Sequence, residues 1–126
     1  MGNIVQLRLE EPVRLDQDQL EILVLQMGPQ GADLLVSHAM EELAVILARL
    51  TRHHNDNALN EVRDEVKALL SIAQRVGMTT LARVGRDVIE LLDSHDGAAY
   101  CAAMARLVRI GESSLVAVWD LQDMRI

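Results

Sequence analysis

The feature that most constrains the fold is a series of amphipathic stretches in which apolar residues recur every three or four positions. This spacing places the apolar side chains on one face of a helix. The clearest stripe comprises Val62, Val66, Leu69, Ala73 and Val76. The stripe in the preceding stretch comprises Val36, Met40, Leu43, Leu47 and Leu50. Each helix must bury its stripe against another element, so the chain is predicted to be all-α.

Glycine, proline and polar residues separate the predicted helices. Asp16 is predicted to cap a short first helix that ends at Gly28-Pro29, and a long helix then covers 30–52. The polar stretch 53–57 is predicted to be a tight loop, and one of its Asn or Asp side chains is expected to cap a third helix over 58–76. Short loops make neighbouring helices antiparallel.

The second half of the chain continues this pattern. Gly77 is expected in the left-handed conformation that ends a helix, and Thr79 or Thr80 is expected to cap the fourth helix. A fifth helix follows Asp96-Gly97, and Gly111 inside it is predicted to mark close packing. The expected fold is an antiparallel up-and-down four-helix bundle with a short N-terminal helix, forming one domain over residues 16–126.

Residues 1–15 have a different pattern and are predicted to form an extended N-terminal arm. Val5, Leu7 and Leu9 alternate with polar residues at the period of a β-strand. Two interpretations remain open. The arm lies on its own bundle, or it is exchanged with a second subunit in a homodimer.

Composition limits the classes of function. The formal net charge of -7 would repel a phosphate backbone, which excludes nucleic acid as a partner. The longest apolar stretch is far shorter than the ~20 residues that span a bilayer, so no membrane partner is predicted.

The single cysteine, Cys101, favours a cytoplasmic location, and its place on an apolar stripe predicts a buried thiol. The sequence contains no phosphate-binding loop or catalytic serine turn, so neither a cofactor nor an enzyme is predicted.

The stretch from Val66 to Gly77, VKALLSIAQRVG, aligns without a gap to the signature A-H-x-L-K-G-S-A-x-x-L-G of the histidine-containing phosphotransfer (HPt) domain of bacterial phosphorelays. With the order of the predicted helices, residues 16–120 resemble this family. Matching positions are Leu69, Ala73, Val76 and Gly77. Lys67 stands where the family has its phosphoryl-accepting His. Lysine is protonated at neutral pH and has no free lone pair, so Lys67 cannot substitute chemically.

The helical step of ~100° per residue predicts a face of the third helix turned away from its apolar stripe. This face comprises Arg63, Lys67, Leu70 and Gln74. Leu70 is expected to be exposed there, and the small Ser71 would allow close approach. The resemblance implies that this face binds a receiver domain or a histidine kinase. The sequence thus predicts a non-catalytic HPt-like adaptor in two-component signalling.

Two alternatives remain. His38 lies opposite the apolar stripe of the long helix and is expected to be exposed, so an active phosphotransfer protein could use it as phosphoacceptor. Ser37-His38 resembles the corresponding pair in histidine-kinase dimerisation helices, where an acid follows the His; here that position is Ala39. The other alternative is a purely structural dimerisation module.

His53 and His54 lack further ligands at metal-binding spacing and are predicted to be loop residues.

Overall fold

The computed structural model describes residues 15–123 and contains, in that range, four helices. These are α1 (Gln17–Asn55), α2 (Leu59–Val76), α3 (Thr79–Leu92) and α4 (Gly97–Asp123). Each helix packs against the next one in the chain, and α4 packs back against α1. The predicted all-α four-helix bundle is therefore confirmed. Most of the predicted N-terminal arm, and its possible exchange between subunits, lie outside the described residues.

The two helices predicted on either side of Gly28-Pro29 form one element, α1, which is kinked at Gly28 (φ 77°, ψ 165°). We call residues 17–27, before the kink, the cap segment. Asp16 begins this segment as predicted, since its Oδ1 accepts hydrogen bonds from the backbone N–H of Asp18 (3.0 Å) and Gln19 (3.3 Å). The Asp16 N–H donates to the Gly77 carbonyl at 2.7 Å. The cap segment therefore starts at the α2–α3 turn.

The predicted apolar stripes form the core. Every member of the α2 stripe is buried. In α1, the stripe from Met40 to Leu50 is buried and Val36 is half-buried. Without phenylalanine, the core is filled mainly by aliphatic and methionine side chains, and its largest fully buried members include Met40, Leu43, Leu50, Leu69, Met78, Leu81, Met104, Leu107 and Ile110. Across residues 15–123, no helix combines the length and the apolar character that a membrane crossing requires.

Some predicted helix ends were wrong. α1 continues to Asn55, so His53 and His54 lie in its last turn and not in a loop. α2 begins after Ala58 without a side-chain cap, and Asn57 instead takes the left-handed conformation of the turn (φ 55°). Met78, not a threonine, occupies the cap position of α3, and its side chain is buried in the core and forms no capping hydrogen bond. Gly77 has the predicted left-handed conformation (φ 76°, ψ 30°).

Cys101 is exposed, so the prediction of a buried thiol was wrong. The inward-facing positions at this end of α4 are Tyr100, Met104 and Leu107. Cys101 lies one residue after Tyr100, and the ~100° helical step turns it away from them.

Candidate functional site

The face predicted on α2 is mostly at the surface. Lys67, Ser71 and Gln74 are exposed, and Arg63 is half-buried. The prediction that Leu70 is exposed was wrong, since it is half-buried and packs against the core. A Cβ atom added to Gly85 would lie 3.0 Å from Leu70 Cδ2. The absence of a side chain at Gly85 therefore brings α3 close enough to cover part of Leu70.

Two contacts and one shared cleft define how α2 and α3 lie side by side. Near one end Arg63 forms an ion pair with Asp93, and in the middle Leu70 approaches Gly85. Near the other end Gln74 and Ala82 line one shallow cleft. The residue numbers rise along α2 as they fall along α3, as expected for antiparallel helices. This register places Lys67 level with the half-buried Ile89.

We define the α2–α3 face as the set Arg63, Lys67, Leu70, Ser71, Gln74, Arg86 and Ile89. Arg86 belongs to it because its side chain lines the same cleft as Gln74. Lys67 and Arg86 are both exposed, and neither has an ion pair among residues 15–123. Arg63 is already paired with Asp93. The face therefore carries two cations that form no ion pair within the described residues, beside two half-buried apolar side chains, on a chain with a net charge of -7.

This arrangement has the general character of a protein-binding surface. Partly buried apolar side chains can supply the water-excluding contact, and the polar residues around them can form hydrogen bonds at its rim. The two cations favour a partner with carboxylates at the matching positions. Sequence reasoning placed the α2 residues on this face but missed Arg86 and Ile89, because the pairing of α3 with α2 is a tertiary contact.

His38 lies on α1, away from the groove between α2 and α3, and its side chain is exposed as predicted. Ala39, at the position where kinase helices have an acid, is 1% exposed and points into the core. The preceding Ser37 hydroxyl accepts a hydrogen bond from Gln122 Nε2 at 2.9 Å. His38 is therefore accessible, but its immediate neighbours in sequence serve packing and the α1–α4 contact.

A histidine–tyrosine contact joins the end of α1 to the start of α4. His54 Nδ1 lies 3.0 Å from the Tyr100 hydroxyl, and the two rings meet edge to face. Burial raises the pKa of Tyr100, and the adjacent Cys101 raises it further. Within the described part of the chain, no three His, Cys, Asp or Glu residues are grouped so that they could hold a metal ion. His54 therefore has a structural contact that the sequence did not indicate.

Comparisons of the chain with protein-family models, curated proteins and solved structures find no match. The functional assignment therefore depends on the surface chemistry of the α2–α3 face.

Proposed function

We propose that this protein is a non-catalytic, HPt-like adaptor that binds a receiver domain of a two-component phosphorelay through its α2–α3 face. The observation that carries the proposal is the position of Lys67. This residue aligns with the phosphoryl-accepting His of the family, is exposed, lies level with Ile89 of α3 and precedes Leu70 on α2 by about one helical turn. The lysine can form an ion pair, but its protonated amine cannot accept a phosphoryl group at neutral pH.

The charge of the face favours a receiver domain over a histidine kinase as partner. The family resemblance implies that a receiver presents an acidic pocket to the residue at position 67. Lys67 would enter that pocket as a fixed cation, and Arg86 would add a second positive charge nearby. Complementary charges raise the rate of association and select against partners that lack the acidic pocket. A cytoplasmic site of action is part of this proposal.

Titration calorimetry of the full chain against purified receiver domains tests this proposal. Binding of at least one receiver is expected, and Lys67→Glu and Arg86→Glu should each weaken it about tenfold or more, since each puts a carboxylate against an acidic pocket. Arg52→Glu is the matched control, because it makes the same change of charge at an exposed site in the last turn of α1. Equal losses for all three variants would indicate a general charge effect and contradict the proposal.

The exposure of His38 favours one alternative function, phosphotransfer through that residue. Incubation with phosphorylated receivers separates the two functions. The adaptor proposal predicts no acid-labile phosphohistidine on this chain. Labelling that disappears in the His38→Gln variant would instead establish phosphotransfer, and the adaptor proposal would be wrong.

A further inference from the structure

The cap segment has apolar side chains on more sides than the bundle covers. Leu23 is 6% exposed, whereas Ile22 is 44%, Met27 is 48% and Leu25 is 85% exposed. At ~100° per residue, Ile22, Leu23 and Leu25 point in three different directions around the helix. Ile22 and Leu25 are only ~60° apart around the helix, so their exposed side chains form one apolar patch, and grouped exposed apolar side chains mark an interaction site. The outer sides of the cap segment are therefore a surface that another segment should cover.

Two adjoining clefts mark the place where a covering segment would lie. An outer groove runs along the cap segment and is lined by Leu20, Val24 and Leu25. An inner apolar cleft lies between the cap segment and the bundle, and Leu15, Leu20 and Leu121 line it. Leu20 lines both clefts, so they adjoin at this side chain. Leu15 pairs with Met78 in an isolated antiparallel bridge, so the described chain begins inside the inner cleft.

We propose that residues 4–9 of the same chain cover the outer side of the cap segment. These residues precede Leu15 by six to eleven positions, so at ~3.3 Å per extended residue they reach about 20 to 36 Å from it. The cap segment itself is about 16 Å long at ~1.5 Å per helical residue. The covering residues therefore reach the whole surface from their point of attachment.

The sequence of residues 4–9 fits this surface. Val5, Leu7 and Leu9 alternate with Gln6 and Arg8, which gives an extended chain over residues 5–9 one apolar side and one polar side, and Ile4 is a further apolar residue before this alternation begins. The apolar side would contact Leu25 and Ile22, and the polar side would face solvent. Attachment to Leu15 also gives these residues an effective concentration in the millimolar range. A second copy of the protein at micromolar concentration would be at a disadvantage for the same surface.

Thermal unfolding of five full-chain variants tests the contact. Leu25→Glu and Leu7→Glu should each lower the Tm by about 4 °C or more, and the double variant should lose less than the sum, because the two residues contact the same partner surface. Val45→Glu and Gln6→Glu are the matched controls. Val45 is 52% exposed on α1 outside the cap segment, and Gln6 lies on the polar side of the arm, so both should leave the Tm unchanged.

Protein concentration and limited proteolysis identify the occupant. With the chain's own residues as occupant, the Tm is independent of concentration and the protein and Leu25→Glu sediment alike. Trypsin should also cleave after Arg8 about tenfold faster in Leu25→Glu, because the arm is then no longer held against the cap segment. A Tm that rises with concentration, together with a dimer dissociated by Leu25→Glu, would assign the surface to a second copy and overturn the proposal. An unchanged Tm in Leu25→Glu would overturn it as well, since Leu25 would then be an ordinary surface residue.

Discussion

Gly111 of α4 lies directly against Leu47 of α1. A Cβ atom added to Gly111 would lie 2.7 Å from Leu47 Cδ2 and 2.9 Å from Leu47 Cδ1. Leu47 is 5% exposed, so its side chain has little free space into which it could move. The prediction that Gly111 marks close packing is confirmed, and the missing side chain at this position sets how closely α1 and α4 approach.

Replacing Gly111 with alanine is expected to lower the free energy of unfolding by about 1 kcal/mol. Overpacking a core typically costs about 1 to 3 kcal/mol. The higher helix propensity of alanine recovers about 1 kcal/mol of this loss. Urea denaturation of the full chain measures the net change.

The same substitution should change sign when Leu47 is shortened. In a Leu47→Ala background the clash at position 111 is gone, so Gly111→Ala should raise the free energy of unfolding by up to about 1 kcal/mol through helix propensity alone. An equal destabilisation in both backgrounds would show that Leu47 is not the residue that excludes a side chain from position 111.

Gly28→Ala is expected to destabilise the protein through backbone strain and not through packing. An added Cβ would meet no atom within 4 Å, but the backbone angles (φ 77°, ψ 165°) are almost restricted to glycine. The expected cost is about 1 to 3 kcal/mol in the free energy of unfolding. Gly97→Ala is the control, because its added Cβ also meets nothing and its φ lies outside the left-handed range. A similar loss in both variants would contradict the strain explanation.

The sequence was informative where local periodicity determines structure. The α2 stripe and the left-handed Gly77 follow from residues within a few positions of one another. The kink at Gly28 was recognisable for the same reason. The end of α1 was less predictable, because the half-buried His54 is held by Tyr100, which is 46 positions away in the sequence.

The candidate site was predictable only on one of its two helices. The angular positions of Lys67 and Gln74 on α2 follow from the helical repeat, and both are exposed as expected. The half-burial of Leu70 depends on the absence of a side chain at Gly85 in α3. The register of two packed helices is set by such contacts and cannot be read from the periodicity of either helix.

Tyr100 should make stability depend on pH in the alkaline range. Burial raises the pKa of its hydroxyl above the ordinary value of 10.0, so the native state keeps this proton at pH values where the unfolded chain has lost it. The stabilisation of the native state by the raised pKa of Tyr100 is therefore fully present below about pH 10, and it is lost as the pH rises through the native pKa. Urea denaturation from about pH 8 to about pH 11 should show this decline in the free energy of unfolding for the protein, and a smaller decline for Tyr100→Phe.

Tyr100→Phe should also lower stability at neutral pH by about 0.5 to 1.5 kcal/mol, since it removes the hydrogen bond between the hydroxyl and His54. Cys101→Ser controls for the neighbouring thiol, which is exposed. An alkaline decline that disappears in Cys101→Ser but persists in Tyr100→Phe would assign it to the thiol.

Three neighbouring positions of α2 should respond very differently to substitution, because their burial differs. Leu69 is 0% exposed, so Leu69→Ala should cost about 2 to 5 kcal/mol through lost burial and the cavity left behind. Leu70 is half-buried against Gly85, and Leu70→Ala should cost about 1 to 2 kcal/mol. Lys67→Glu at an exposed position should change stability by no more than ~0.5 kcal/mol. Urea denaturation, analysed with a common m value, gives the order of the three losses in the free energy of unfolding. A cost at Leu70 equal to that at Leu69 would place Leu70 in the core and remove it from the α2–α3 face, leaving Lys67 without its apolar neighbour on α2.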